Sequence, residues 1–267
     1  MSLISLGPWE LGLAALLVGL VALLSLPLRL RMARPTLVAG SRMVVQLLLV
    51  GLVLEVLFTN TVLWWVALMA VVMLLVAGRE VMARQKRRFR GGWGFGAGTV
   101  AMFVSSFSVS ILALTVMVRP DPWYQPQYAI PMLGMLLGNT MTAVALSIDR
   151  LTEGAWLRRG VIEARLALGH NWGLAVSDIR RDAARAGMIP TVNSMASAGI
   201  VNLPGMMTGQ ILAGAPPMEA VKYQILIMLL IVASVGCGTA TAMWLGTRRL
   251  GDERQRLRLD RLQPEAR

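Results

Sequence analysis

A few side chains able to hydrogen-bond, coordinate or carry charge interrupt the long apolar stretches of this chain: Glu55, Asn139, Thr142, Asn193, Ser197, Asn202, Thr208 and Gln210. Polar groups at membrane depth are costly, so they face a bundle interior or a hydrated path, and they often mark a cargo route. Asn139 and Thr142 lie three apart, while Asn193, Ser197, Pro204 and Thr208 share one helical face. Within Asn202-Leu203-Pro204-Gly205 the proline removes a backbone donor and clashes with the preceding turn. Broken helices of this kind line binding sites in transporters. We read Pro204 and Gly205 as a hinge and the polar residues as a substrate path. Two alternatives stay open: a packing kink satisfied by Asn202 or Ser197, and interhelical hydrogen bonds made by Asn139.

No catalytic constellation accompanies them. There is no phosphate-cradling G-x-x-x-x-G-K-[ST], so ATP hydrolysis is not expected of this chain, and no His pairs with Ser, Cys or carboxylate inside a span. Met132, Met135, Met141, Met188, Met195, Met206, Met207 and Met218 cluster around two spans. Thioethers suit copper(I) better than iron and are more commonly adaptable packing. Glu55 is the only acidic residue well inside a span, His170 is the only histidine and Cys237 the only cysteine. A metal-ligand set therefore stays unknown, and one chain can form no disulfide. Gly134 and Gly138, four apart, read as a small-residue helix contact.

The elements that must position these groups are membrane helices. Of 267 residues, 56% are hydrophobic and 15% charged, far fewer charges than the roughly one quarter of a soluble domain. Apolar runs long enough to cross a hydrocarbon core of ~30 Å fall near 7–28, 37–58, 62–78, 95–118, 129–148, 191–213 and 220–245. The predicted class is an all-α polytopic bundle of about seven spans. It comprises a permease domain over 1–246 and a basic tail over 247–267, the tail being a short surface helix or disordered. The first run lacks a basic leading flank and a cleavage site, and is read as a retained span. Basic residues fill alternate connections: Arg29, Arg31 and Arg34; Arg79 to Arg90; Arg150 to Arg185; and Arg248 onward. By the positive-inside rule the amino terminus is outside and the carboxyl terminus cytoplasmic. The net charge of +12 then reflects topology beside an anionic leaflet, and no aromatic interleaving points to nucleic acid. A retinal-type receptor would need a mid-span lysine in the last helix, where Lys222 lies at the outer end.

The segment 150–190 stands apart as a hydrophilic arm on the basic side. Trp172, Ala175, Val176, Ile179, Ala183 and Ala186 recur at helical spacing, with Asp178, Arg180, Arg181, Asp182 and Arg185 opposite. Such a stripe lies on the membrane surface or in a groove of a partner.

Glu163-Ala164, then Gly169 and Ile179, resembles the glutamate–alanine–alanine loop of ABC transporter permeases, with Arg165 in place of the second alanine and no Leu-Pro after Ile179. Gly138 to Ser147, Gly187 to Ser194, Leu203 to Gly214 and Tyr223-Gln224-Ile225 resemble the bacterial iron-export permease family (FetB-type), which has plant relatives tied to aluminium tolerance and linked to UDP-glucose transport. The resemblance covers most of residues 130–245, with Arg42, Gln46 and Gly51 agreeing upstream. It implies a multi-pass permease of the bacterial inner membrane that exports iron or another metal. ATP and magnesium would bind a separate cytosolic subunit, none of them this chain, and two permease copies would pair. It further implies that Glu163, Ala164, Gly169, His170, Trp172 and Ile179 couple to that ATPase. An ion-coupled carrier, or a permease for a nucleotide sugar, is the alternative.

Overall fold

The computed structural model describes residues 7–25, 27, 32–59 and 61–263. Arg29 and Arg31, used above for orientation, and the last four residues of the tail lie outside the described residues. The secondary-structure elements of the described residues are all helices, as the apolar runs require where backbone polar groups must be satisfied within each segment.

It divides into two compact units, Met1–Thr61 with Leu212–Gly214, and Val62–Ile211 with Ala215–Arg267. In the first, α1 (Pro8–Leu24) and α2 (Ala33–Thr59) pack on each other. Pro8 opens α1 at the position where a missing N–H costs least. With 27 residues, α2 is long enough to span a bilayer, and it turns Leu47, Leu48, Leu49 and Leu52 outward.

The second unit holds α3 (Leu63–Ala83), α4 (Trp93–Val118), α5 (Pro126–Leu157), α6 (Arg159–Ala167), α7 (Trp172–Ala175), α8 (Ser177–Ser197), α9 (Gly205–Leu212) and α10 (Pro217–Leu250). Helix α5 is the axis, packing on α3, α8 and α10. Its residues Leu133, Leu137, Val144, Ile148 and Leu151 meet Leu74 and Val81 of α3, Met102 of α4, and Ala242 and Met243 of α10 in one core. By length and composition α2, α3, α4, α5 and α10 can each cross a membrane. α1 has 17 residues, and the sixth expected run is not one helix. The chain leaves α8 at Ser197 and re-enters helix only at Gly205. α8 itself begins far upstream of that run, at Ser177, and continues through Pro190. The last part of the hydrophilic arm and the first residues of the expected sixth run therefore lie on one helix.

Helix α4 widens twice into π geometry, at Phe103–Phe107 and Ala113–Val118, and ends at Arg119 in the left-handed region. Such bulges add a residue per turn and change which side chains face a neighbour. The first carries the buried Ser105 and Ser106. Ser106 Oγ lies 3.1 Å from Ser234 Oγ of α10, which lies 2.8 Å from Thr140 Oγ1 of α5. This chain of hydroxyls fastens three helices at the bundle's centre.

At the basic end, arginines stack on tryptophans: Arg87 and Arg159 over Trp156 at 4.3 and 5.5 Å, Arg248 over Trp244 at 4.3 Å, and Arg249 over Trp93 at 4.9 Å. Indole at headgroup level with cations just beyond is the expected composition of a membrane interface. The loop after α3 is tied down there, Lys86 N–H donating to Asp149 at 2.7 Å and its ammonium lying 3.3 Å from Glu153.

Candidate functional site

The arm is built from α6, α7 and the first half of α8. Gly169 ends α6 with φ of +88°, a conformation only glycine adopts freely. Its N–H donates to Leu166 O at 3.0 Å and that of His170 to Arg165 O at 3.1 Å, the paired bonds of a Schellman stop. Two residues later Asn171 caps α7, its side chain accepting from Leu174 N–H at 2.9 Å. Arg165, the departure from the permease motif, has a place of its own. It donates to Asp178 at 2.6 Å and to Ala175 O at 3.3 Å, joining α6 to α8. This guanidinium holds the Asp178 carboxyl below its ordinary range.

The apolar stripe turns inward. Ala175, Val176, Ile179 and Ala183 are buried, Ile179 at 6% exposure and Ala183 at 0%, within the same core as α5 and α10. Trp172 is half-buried: its indole N–H donates to Thr247 O at 3.0 Å, and its backbone N–H donates to Gln255 Oε1. The ring lies on Gly251, where a Cβ would come within 2.6 Å of it. Residues 251–263 fold back along the bundle instead of projecting from it. Arg90 N–H donates to Arg261 O at 2.8 Å, Gln263 N–H to Arg88 O at 2.7 Å, and Arg261 to the carbonyls of Arg249 and Gly251 at 2.9 and 3.0 Å. Asp252 organises the turn by accepting from the backbone of Arg254 and Arg256 at 3.1 and 2.8 Å. A fork from Arg258, both bonds 2.9 Å, pushes the Asp260 carboxyl down to about 2.

The opposite face of the arm is open. Glu163, Ala164, Gly169 and His170 are exposed, and so are Val161, Leu168 at 78% and Leu174 at 53%. Val161 and Leu168, two turns apart, rise on one side of α6 and its stop.

The polar residues of the spans separate into three places. Glu55 is exposed on α2, in the first unit. Asn139 and Thr142 are exposed on α5, each donating to a carbonyl of the preceding turn, Met135 O at 2.8 Å and Gly138 O at 3.1 Å. Asn193 is exposed on α8; beyond it Ser197 and Asn202 meet in the break. There Asn202 N–H donates to Ser197 O at 3.2 Å and Gly199 N–H to Asn202 O at 2.9 Å. Pro204 and Gly205 lead into α9, and Thr208 donates back to Pro204 O at 3.2 Å. Gln210 is half-buried on α9, with its carbonyl oxygen unpartnered. Of the expected small-residue pair, Gly134 lies against Met73 while Gly138 faces open space; close helix contact falls instead at Gly187, seated on Ala143 and Ser147. Among the described residues no three His, Cys, Asp or Glu side chains gather as a metal centre would need. Sequence reasoning missed the hydroxyl chain and the folded tail. Ser106, Thr140 and Ser234 are too small to disturb an apolar run, and the tail is held by pairs far apart in sequence.

Fold and site together define a polytopic helical membrane protein with a hydrophilic arm and a broken helix. Residues 8–250 match the family described as Uncharacterised protein family (UPF0014), and the chain belongs to it. It is 43% identical over 73% of its length, and 74% of the relative's, to the UPF0014 membrane protein slr1647 of Synechocystis. It is 30% identical over 93% of both chains to the Probable iron export permease protein FetB of Escherichia coli. It is 31% identical over 87% of its length and 83% of the relative's to Protein ALUMINUM SENSITIVE 3 of Arabidopsis thaliana. No solved structure matches the chain.

Proposed function

We propose that this protein is the membrane-spanning permease of an ATP-driven exporter of iron or a related metal ion. Two copies work with a cytosolic ATP-binding subunit that supplies the ATP and magnesium. The observation that carries the reading is the match to a probable iron export permease along 93% of both chains. The basic end faces the cytoplasm of a bacterial inner membrane, which puts the arm where a soluble motor can reach it. Its outer face, with Glu163, Ala164, Leu168, Gly169, His170 and Leu174, is the docking knob. Its inner face passes force to the bundle: α8 is continuous from the arm to the break at residues 198–204, so a push at one end reaches the other. Asn139, Thr142, Asn193, Ser197, Asn202, Thr208 and Gln210 line the route. An exposed amide at membrane depth is favourable only against a hydrated path or a partner copy.

Affinity capture of the full chain from its own membranes tests the assembly. Vanadate-sensitive ATP hydrolysis is expected in the eluate, and its absence would contradict the proposal. Proton-driven metal movement by the purified chain alone would favour a carrier instead.

A further inference from the structure

Helices α8 and α10 part at the basic end around a groove of about 420 Å³. Ala184 forms one wall, Ala240, Met243 and Trp244 the other, and Arg180 and Arg181 line the end towards the arm. Arg248 extends the cationic end by one turn, stacked 4.3 Å over the exposed Trp244. Deeper along the same pair of helices Met188 lies opposite Gly236, where an added Cβ would be 4.0 Å from its methyl group. The groove is thus amphipathic along its length: guanidinium at the interface, apolar side chains below.

Among the described residues its charge is not neutralised by an ion pair. The acidic residues nearest Arg180 and Arg181 in sequence are committed elsewhere, Asp178 to Arg165 at 2.6 Å and Asp182 to Arg158 at 3.3 Å; of those nearest Arg248, Asp252 pairs with Arg256 at 2.8 Å, while Glu253 lines a neighbouring cavity with Arg248. Among the described residues no carboxylate forms an ion pair with Arg180 or Arg248, and Arg181 only adds to the field at Asp178. Basic pockets between membrane helices are the recognised receptacles of anionic headgroups. Arginine forks match phosphate geometry, and an apolar floor at headgroup depth suits an acyl chain rather than a free anion.

We propose that this groove binds one anionic phospholipid, its phosphate held by Arg180, Arg181 and Arg248 and an acyl chain lying along Ala240 and Trp244. The inference stands on membrane embedding alone and is independent of the transported cargo. A lipid seated there bridges the arm-bearing α8 to α10, making the arm's attachment to the bundle dependent on the composition of the leaflet.

Native mass spectrometry of the purified full chain, equilibrated with phosphatidylglycerol or phosphatidylcholine of equal chain length, tests it. The wild type is expected to retain phosphatidylglycerol at least tenfold better. With each interfacial arginine worth about fivefold in affinity, R180Q/R181Q should hold phosphatidylglycerol about twenty-five-fold more weakly, while R180K/R181K keeps most of the preference. Ala240→Trp, which fills the floor and leaves every arginine in place, should also abolish binding. It keeps the test decisive if the double glutamine variant misfolds. Equal retention of the two lipids by the wild type, or undiminished phosphatidylglycerol on both R180Q/R181Q and A240W, would overturn the proposal. Competition by glycerol phosphate as effective as that by the whole lipid would overturn it too, by showing a site for a soluble phosphate.

Discussion

The arm has two apolar faces with opposite fates. The inner one, Ala175, Val176, Ile179 and Ala183, is the regular stripe and is buried against its own bundle. The outer one, Val161, Leu168 and Leu174, follows no long repeat and stands exposed around the Gly169 turn. Periodicity identifies a face that must be covered but not what covers it, and here the chain covers its own best stripe. What remains for a partner is the irregular face, the same face that carries Glu163, Ala164 and His170. In the proposed assembly the two faces have separate tasks: one holds the arm to the bundle, and the other would meet the motor.

Charge introduced on the inner face gives the largest expected effect. Ile179→Asp places a carboxylate at a site 6% exposed, and an uncompensated buried charge costs about 3–5 kcal/mol. The melting temperature in detergent should collapse along with partner binding; a stable I179D protein would refute the inward packing. Trp172→Ala comes next, losing about 2 kcal/mol of aromatic burial and freeing residues 251–263. Limited trypsin treatment should then cut at Arg254 and Arg256 at least tenfold faster than in the wild type. Unchanged cleavage would separate the tail from the arm.

On the outer face, L168E/L174E should alter stability by no more than about 0.5 kcal/mol, as surface changes do, while the captured ATPase falls at least tenfold. Comparable loss of stability and capture would erase the distinction between the faces. The smallest effect is acidic loosening of the tail. The Asp260 carboxyl is depressed to about 2 from an ordinary 3.8, so its pairing with Arg258 contributes fully above pH 3.8 and is lost as pH falls towards 2. Tail cleavage by pepsin should be flat from pH 5 to pH 4 and rise below that. A rise beginning at pH 5 would place the controlling group elsewhere.

The spans were legible because an apolar run long enough for a bilayer has few other uses: 37–58 became Ala33–Thr59 and 220–245 became Pro217–Leu250. The break before Pro204 was legible in the proline and glycine, but its extent, from Ala198 onward, was not. Pro190 reads as a boundary, yet α8 runs through it, because packing on α5 and α10 outweighs one missing hydrogen bond. Asn139 and Thr142 are conspicuous in sequence and open in the fold. Their neighbour Thr140 and the distant Ser234 bind the bundle together without standing out, since a hydroxyl beside apolar residues leaves the pattern intact. The π stretches of α4 reflect register against neighbouring helices, which no local pattern encodes.

We propose that this chain passes metal across a membrane on ATP hydrolysed by another subunit. The most direct test is iron-55 accumulation in proteoliposomes holding the full chain and its captured ATPase, with the arm facing the external medium. ATP-dependent accumulation in the lumen is predicted, abolished by L168E/L174E and by omission of the ATPase. Accumulation that ignores ATP, or persists undiminished without the ATPase, would contradict it.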